Sequence, residues 1–406
     1  MSLAQQKDLE SEYLMSTFGR KPVELVRGYG MEAFDDEGKP YLDFIGGIGV
    51  LSLGHCNPQV VAALQNQSEK LMHVSNYYYI EQRGELAKTV SDLLNDQVPE
   101  AERTPWKSFF ANSGAEANEC AIKLARLFAR QNAADSAAAP RIIVTLEGSF
   151  HGRTLASLAA TAQPAKQEVF QPLPGGFESV PINDVDALER LFAEKGSQIC
   201  AVMLECIQGE SGVHPCSQEF LEAARRLTKE AGALLICDEV QCGIFRTGKP
   251  FGFQQYGILP DVVTIAKGIA DGFPMGMCAA HGPAADTFQP GDHGTTFGGS
   301  CLAVAAASAT LQTICDEGVA ENVNEVGAYL REKLAQLPHV TEVRGFGLML
   351  AAQLDDEVDA NAVVLKALDH GLLLNATGPH TLRFLPPLIC EKRHVDVLVE
   401  RLSLLL

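Results

Sequence analysis

Five short apolar runs constrain the fold of this chain more than any other feature of its sequence. They are Ser108–Ala111, Ile142–Leu146, Cys200–Leu204, Leu234–Cys237 and Val262–Ala266. They do not alternate apolar with polar residues, which is typical of strands buried on both faces of a parallel sheet. Helical patterns lie between them, and from Glu116 onward one helix face is marked by Ala117, Cys120, Ala121, Leu124, Ala125 and Phe128. The alternation of strand and helix predicts a doubly wound α/β domain.

The two ends of the chain differ from this middle section. The N-terminal part contains a glycine-rich turn at Gly46–Gly49, and the C-terminal part is mixed α+β. Near the C-terminus an amphipathic helix is predicted by Val395, Leu398, Val399, Leu402 and Leu405. We therefore expect residues 1–60 and 316–406 to form a smaller α+β domain, and residues 61–315 to form the large α/β domain.

The charge of the chain restricts its partners. Lys and Arg number 32 and Asp and Glu number 51, which gives a formal net charge of −19. Because an acidic surface repels phosphate backbones and anionic lipids, we expect no nucleic-acid or membrane partner. No window reaches the roughly 18 uninterrupted apolar residues of a membrane-spanning helix. An anionic substrate would need a local cluster of Arg or Lys inside a site.

Cysteine and histidine spacing indicates neither disulfides nor a metal. The 11 cysteines form no CxxC pair, and the 10 histidines form no HExxH or comparable motif. We therefore expect reduced thiols, a cytoplasmic location and no metal site.

Polar residues follow each of the five predicted strands. They are Asn112–Glu116, Glu147–Arg153, Glu205, Asp238 and Lys267. In an open α/β sheet a ligand binds beyond the carboxyl ends of the strands, so one crevice could collect all five groups.

Lys267 is the strongest single indication of chemistry. A lysine at the end of a buried strand is costly unless it is paired or chemically used. Desolvation lowers the pKa of an amine and favours its nucleophilic form, which suits a Schiff base with an aldehyde. The alternative is a lysine whose ammonium group reaches the surface, and the adjacent Gly268 does not exclude it.

Two further segments fit the same chemistry. Asp238 could pair with a protonated pyridine nitrogen, although an acidic surface turn explains it equally well in isolation. The small residues Ser113–Ala115 open the predicted helix and could let a phosphate reach its free N–H groups, whereas alone they would indicate a plain N-cap. The glycines Gly46–Gly49 and Gly345–Gly347 do not complete a GxGxxG dinucleotide motif. His151 lacks the serine or cysteine that would make it a general base of a hydrolase.

Taken together, these motifs resemble the class III aminotransferases, also called the ornithine or ω-aminotransferase family. The likeness runs from Tyr41–Phe44 to Leu382–Leu388. Within the family, the acetylornithine and succinylornithine aminotransferases are most similar. The segments that indicate this subgroup are Phe109–Asn118, Phe150–Thr154 and Gly291–Gly299.

The resemblance implies the architecture of a fold type I pyridoxal-phosphate-dependent transferase, and a homodimer whose active sites are shared. It implies that Lys267 forms the Schiff base with pyridoxal 5′-phosphate and that Asp238 pairs with the pyridine nitrogen. Phe150 and Val240 would sandwich the ring, and Gln241 would approach its phenolic oxygen.

The resemblance also implies which residues bind the phosphate and the substrates. Gly114 and Ala115 would hold the phosphate from one subunit, and Thr296 would reach it from the other, with Thr295 near the substrate. The substrate α-carboxylate would bind Arg153. The α-carboxylate of glutamate would bind Arg383, whose switching partner would be Glu210.

The implied reaction moves the δ-amino group of an N2-acylated ornithine to 2-oxoglutarate, in arginine metabolism. The alternatives are a 4-aminobutyrate or other ω-amino acid transaminase, an aminomutase that needs no second substrate, and a non-catalytic binding protein. The chain departs from the family pattern at Phe245, where a glycine is usual, and at Ser300, where an asparagine is usual. These departures bear on substrate preference.

Overall fold

The computed structural model describes residues 2–406. The N-terminal elements are α1 (Leu3–Tyr13), β1 (Leu25–Tyr29), β2 (Glu32–Asp35), β3 (Pro40–Asp43), α2 (Gly46–Gly49), α3 (Pro58–Lys70) and α4 (Arg83–Leu94). The α2 segment is one irregular turn, because Gly47 and Ile48 both have a positive φ. At α3 the Asn57 side chain accepts hydrogen bonds from the first backbone N–H groups, and Pro58 occupies the first turn. Both features favour a helix start at that point.

The middle section forms one seven-stranded sheet with its helices. In chain order its elements are β4 (Lys107–Ala111), α5 (Gly114–Asn132), β5 (Ile142–Leu146), α6 (Leu155–Ala160), α7 (Pro164–Gln167), β6 (Phe177–Val180), α8 (Val185–Lys195), β7 (Ile199–Leu204), β8 (Ile207–Gln208), β9 (His214–Pro215), α9 (Gln218–Ala231), β10 (Leu234–Asp238), β11 (Val262–Ile265) and β12 (Gly276–Ala280). The strand order of the sheet is β4-β12-β11-β10-β7-β5-β6, and β8 pairs with β9 outside it.

The predicted mostly parallel α/β sheet is confirmed, and all five predicted strands are present. Strand β10 pairs in parallel with β7 and β11, and β5 pairs in parallel with β6 and β7. The prediction missed β6 and β12, and β12 runs antiparallel between β11 and β4. Its sequence of glycine, alanine, methionine and cysteine lacks the β-branched and aromatic residues that mark the other strands of the sheet, although all five of its residues are buried.

The predicted helix after β4 is α5. It begins at Gly114, two residues before Glu116, from which the helix was predicted. The Ser113 hydroxyl accepts a hydrogen bond from the backbone N–H of Glu116 at 3.2 Å, which caps the helix. Five of the six predicted face residues are buried, whereas Phe128 is half-buried. This face packs against β11 and β12, which places the start of α5 at the carboxyl ends of the strands.

The C-terminal elements are α10 (Cys301–Asp316), α11 (Val319–Leu334), β13 (Val340–Phe346), β14 (Met349–Leu354), α12 (Ala360–Asp369), β15 (Leu372–Leu373), β16 (Asn375–Ala376), β17 (Thr381–Phe384) and α13 (Lys392–Leu402). Strands β13, β14, β17 and β16 form an antiparallel sheet. The predicted amphipathic helix is α13, which buries Val395, Leu398 and Leu402 and ends before Leu405.

The two ends of the chain share a sheet. Strand β15 pairs in parallel with β3, so that the order of this sheet is β1-β2-β3-β15. The predicted domain boundaries, after residues 60 and 315, stay predictions. Among the helices of residues 2–406, none combines the length and apolar character needed to cross a membrane.

Candidate active site

A crevice of about 370 Å³ opens where strands β4, β5, β7, β10 and β11 end. All five predicted strand-end groups contribute to its walls. The contributing residues include Asn112, Gly114, Ala115, Phe150, Arg153, Glu205, Asp238, Val240, Gln241 and Lys267. The topology of the sheet thus brings together residues that lie far apart along the chain, such as Asn112 and Lys267.

Lys267 lies two residues after the end of β11 and has a positive φ of 45°. A non-glycine residue in this left-handed region costs on the order of 1–3 kcal/mol and persists where the surrounding structure holds it. The Lys267 amine has no hydrogen-bond or ion-pair partner among residues 2–406. Burial lowers its pKa, while the charge of Glu210 opposes this effect. The side chain is therefore a desolvated amine that is free to react.

Asp238 is the last residue of β10 and is buried. Its Oδ2 accepts hydrogen bonds from Asn118 Nδ2 and His151 Nδ1, both at 2.7 Å. Its Oδ1 accepts a third from the backbone N–H of Val240 at 3.0 Å. Burial alone would lower the pKa of His151, but the hydrogen bond and charge of Asp238 raise it overall. Three donors from three elements fix the orientation of this carboxylate.

Among the residues around Asp238, sequence reasoning assigned no role to Asn118 or His151. Asn118 lies on the buried face of α5, and a polar residue on that otherwise apolar face was the available signal. Glu205 accepts hydrogen bonds from the backbone N–H groups of Phe150 at 2.8 Å and Gly209 at 3.2 Å. Burial raises the pKa of Glu205 to about 7, an effect that the charge of His151 opposes. No local pattern in the sequence indicates the contact between His151 and Asp238.

The start of α5 forms a cradle suited to an anion. Gly114 and Ala115 are its first two residues, and both line the crevice. A Cβ at Gly114 would lie 2.7 Å from Cγ1 of Val240, so only glycine fits there. The first N–H groups of a 19-residue helix and its dipole attract a phosphate. An unpaired amine, a fixed carboxylate and this cradle in one crevice fit the aldehyde, ring nitrogen and phosphate of pyridoxal phosphate.

Arg383 on β17 is only 2 % exposed and is fully engaged within the chain. Its Nη1 donates to Glu210 Oε1 at 2.7 Å, to Gln241 Oε1 at 3.0 Å and to the Gly209 carbonyl at 3.1 Å. Its Nε and Nη2 both donate to Asn375 Oδ1, at 3.0 and 2.8 Å. Burial would raise the pKa of Glu210, but the charge of Arg383 lowers it overall. An anion can therefore bind Arg383 only by displacing Glu210.

Arg153 has the opposite environment. It is exposed at the mouth of the crevice, with its guanidinium carbon 5.6 Å from the centroid of the Phe150 ring. It has no hydrogen bond or ion pair with any of residues 2–406. This cation is available to a carboxylate without displacing another group.

Thr295 and Thr296 do not line this crevice. Both line a second, larger cavity of about 1110 Å³, together with Tyr77 and Tyr79. Thr295 stays close to the crevice, because its Oγ1 accepts a hydrogen bond from Asn112 Nδ2 at 3.3 Å. Thr296 is exposed. The structure therefore separates Thr296 from the other phosphate-binding candidates of the same chain.

The chain is similar to known aminotransferases in sequence and in structure. The model of the family described as aminotransferase class-III matches residues 16–406. The acetylornithine aminotransferase of Caldanaerobacter subterraneus is 46% identical over 391 residues, with 95% of each chain covered. That of Methanocaldococcus jannaschii is 44% identical over 400 residues, with 98% of this chain and 96% of that protein covered.

Solved structures show the same similarity. The ornithine aminotransferase from Toxoplasma gondii has a TM-score of 0.91 and 29% identity, with 100% of this chain and 95% of that chain covered. The N-acetylornithine aminotransferase from Stenotrophomonas maltophilia has a TM-score of 0.81 and 35% identity, with 98% and 97% covered.

Proposed function

Because the chain belongs to the class-III aminotransferases, we propose that it transfers the δ-amino group of an N2-acylated ornithine to 2-oxoglutarate. The products are the corresponding semialdehyde and glutamate. The observation that carries the proposal is the unpartnered, desolvated amine of Lys267 in one crevice with Asp238 and the start of α5. The acyl-ornithine substrate is supported by the relatives named acetylornithine aminotransferase.

The family depends on pyridoxal phosphate, which supplies an aldehyde that condenses with amines and a ring that withdraws electrons from the bond being broken. Lys267 would bond covalently to the aldehyde carbon, and Asp238 would face the ring nitrogen. Phe150 and Val240 would contact the two faces of the ring. The remaining contacts would come from Gln241 at the phenolic oxygen and from Gly114 and Ala115 at the phosphate.

Two residues of the chain do the chemical work. Lys267 moves a proton at the substrate carbon, because burial lowers its pKa and favours the neutral amine that can accept one. Asp238 stabilises positive charge on the ring nitrogen, and its three hydrogen bonds keep the carboxylate in place during the reaction.

The two arginines let one site take two substrates. The free Arg153 binds the α-carboxylate of the acyl-ornithine while Glu210 keeps Arg383 neutralised. Glutamate and 2-oxoglutarate carry two carboxylates, and their α-carboxylate displaces Glu210 and binds Arg383. A guanidinium that binds a carboxylate through two hydrogen bonds also orients the substrate.

A homodimer fits the exposed aromatic surface beside Thr296. Tyr77, Tyr78, Tyr79 and Phe297 have exposed fractions of 94, 64, 103 and 62%. Apolar surface of this kind marks a protein–protein interface. In the dimer, Thr296 of a second subunit would reach the phosphate held by Gly114 and Ala115.

A substrate panel tests the function. Acetyl-ornithine, succinyl-ornithine, ornithine and 4-aminobutyrate are each assayed with and without 2-oxoglutarate, and both the glutamate formed and the amine consumed are measured. We expect an acyl-ornithine to give the highest kcat/KM and the reaction to require 2-oxoglutarate. A preference for 4-aminobutyrate would support the ω-amino acid alternative, and consumption of the amine without 2-oxoglutarate would support an aminomutase.

A further inference from the structure

Arg246 is a buried cation without a buried anion. It lies in the loop between β10 and β11 and is only 2 % exposed. No carboxylate among residues 2–406 forms an ion pair with it, and burial lowers its pKa to about 9. A buried charge is costly, so a side chain of this kind is retained where its hydrogen bonds do something that an apolar residue cannot do.

The side-chain hydrogen bonds of Arg246 lead to the C-terminal part of the chain. Its Nη1 donates to the carbonyl of Leu348 at 3.1 Å and also to the carbonyl of Pro386. Its own carbonyl accepts a hydrogen bond from the backbone N–H of Leu348 at 3.1 Å. The loop that follows Asp238 and Gln241 is thereby bound to two segments. One is the turn just before β14, and the other is the chain just after β17.

The contact around Arg246 is tight. A Cβ at Gly347 would lie 2.7 Å from the carbonyl carbon of Thr247 and 2.8 Å from the carbonyl oxygen of Arg246. Ile244 and Phe245 have positive φ values of 50° and 60°. Bulky and β-branched residues rarely adopt this conformation, and they do so where neighbouring contacts enforce it. The loop is therefore held in one position rather than relaxed.

We propose that Arg246 is a positioning residue that fixes Arg383 relative to Gln241. Pro386 lies three residues after Arg383, and Gln241 lies five residues before Arg246. Arg383 meets Gln241 Oε1 at 3.0 Å, so a shift of about 1 Å between the two segments would break this contact. Misplacement of about 1 Å is enough to change a rate by up to about a hundredfold.

The inference rests on the proposed function and predicts an effect on one half-reaction only. The acyl-ornithine carboxylate would bind Arg153, which follows β5 and has no hydrogen bond or ion pair with the Arg246 loop among residues 2–406. Binding of glutamate and 2-oxoglutarate would require Arg383 to be correctly placed relative to the crevice. Loosening the Arg246 contact should therefore weaken binding of dicarboxylates and leave the acyl-ornithine half-reaction intact.

The experiment compares Arg246→Met, which keeps the apolar length of the side chain, with the wild-type holoenzyme. Calorimetry measures the Kd of glutarate, a dicarboxylate that cannot react, and single-turnover kinetics measure each half-reaction. We expect the glutarate Kd to rise about tenfold and kcat/KM for 2-oxoglutarate to fall about tenfold, with the acyl-ornithine half-reaction changed less than twofold. The matched control is Asn324→Ala, which removes a hydrogen bond to the Gly248 carbonyl in the same contact and should change neither half.

Equal losses in both half-reactions, or an unchanged glutarate Kd, would overturn the inference and leave Arg246 with a purely structural role. If Arg246→Met does not fold, Gly347→Ala replaces it, because its added methyl group presses on the carbonyl of Arg246. This variant must also weaken the 2-oxoglutarate half-reaction and leave the acyl-ornithine half-reaction intact. A wild-type enzyme that binds glutarate but does not use acyl-ornithines would contradict the proposed function alone.

Discussion

At the scale of single residues, the two arginines of the crevice differ in what already neutralises them. Arg383 is buried and paired with Glu210 at 2.7 Å, whereas Arg153 is exposed and free of any ion pair within residues 2–406. A carboxylate that approaches Arg153 loses only water, but one that approaches Arg383 must also replace a buried partner. The two sites therefore differ in the substrate that they accept.

This difference predicts opposite effects of two substitutions. Loss of a hydrogen bond to a charged group costs about 1.5–3 kcal/mol, which corresponds to roughly ten- to a hundredfold in kcat/KM. Arg153→Ala should weaken the acyl-ornithine half-reaction, and Arg383→Ala should weaken mainly the 2-oxoglutarate half. Single-turnover measurements of each half test this, with the exposed Arg130→Ala as the control cation. Equal damage to both halves by both variants would contradict two separate carboxylate sites.

Lys267 gives a second prediction at this scale. Its amine is the desolvated lysine of the crevice, so the holoprotein should be yellow and borohydride should attach the cofactor irreversibly. Peptide mapping should find the attached group on Lys267, and Lys267→Ala should abolish the attachment. Lys166→Ala, a control at a half-buried lysine, should keep it. Attachment to a different lysine would rule out this role of Lys267.

At the scale of elements, two helix N-termini show the effect of one departure from the family pattern, the serine at position 300. Ser113 caps α5 and Ser300 caps α10 in the same way, each accepting a hydrogen bond from the N–H group three residues on. Serine and asparagine are equally good N-caps. The serine at position 300, where the family usually has asparagine, therefore keeps the structural role of that position.

The two caps make a matched pair for an experiment. Ser113→Ala and Ser300→Ala should each lower the free energy of unfolding by about 1 kcal/mol, since each removes one cap. Only Ser113→Ala should also weaken binding of pyridoxal phosphate, because the start of α5 lines the crevice and that of α10 does not. Urea unfolding of the apoprotein and titration with the cofactor measure the two effects. Equal loss of cofactor affinity in both variants would argue against an anion site at α5.

At the scale of the whole molecule, the buried acids make stability depend on pH. Burial raises the pKa of Glu239 to about 7, from 4.5 in the unfolded chain. Because the folded state holds this proton more tightly, the contribution of Glu239 to stability is lost as the pH rises from about 4.5 to 7, by roughly 3 kcal/mol. Glu239→Gln should therefore gain stability relative to the wild type over this range. Thermal unfolding at pH 5 and pH 8 checks the trend, and a constant difference between the two proteins would contradict it.

The exposed aromatic surface predicts the assembly. Tyr78→Asp should convert a dimer into a monomer, because it places a charge within an apolar interface. The monomer should bind pyridoxal phosphate more weakly, since it lacks Thr296 of the second subunit. Sedimentation equilibrium measures the assembly, and Leu404→Asp, at a comparably exposed apolar residue, is the control. If Tyr78→Asp stays dimeric, the interface lies elsewhere.

Elements that depend on local sequence were predicted well. The five apolar strands, the face of α5 and the helix α13 follow from periodicity, because burial selects apolar side chains at fixed spacing. The strand β12 was missed, because small residues pack there without the pattern of a typical strand. The neighbours of Asp238 were missed as well, since Asn118 and His151 reach it from two other elements.

The sequence by itself determined the α/β class, the order of the strands along the chain and the polar residue at each strand end, because these depend on neighbours within a few positions. The family resemblance already implied Glu210 as the partner of Arg383, but only the tertiary structure decided that Arg153 is free and that Arg246 binds the loop after Asp238 to the chain after β17. These contacts join residues that are more than a hundred positions apart. Their distances are set by how the sheets and helices pack, and no pattern along the chain encodes them.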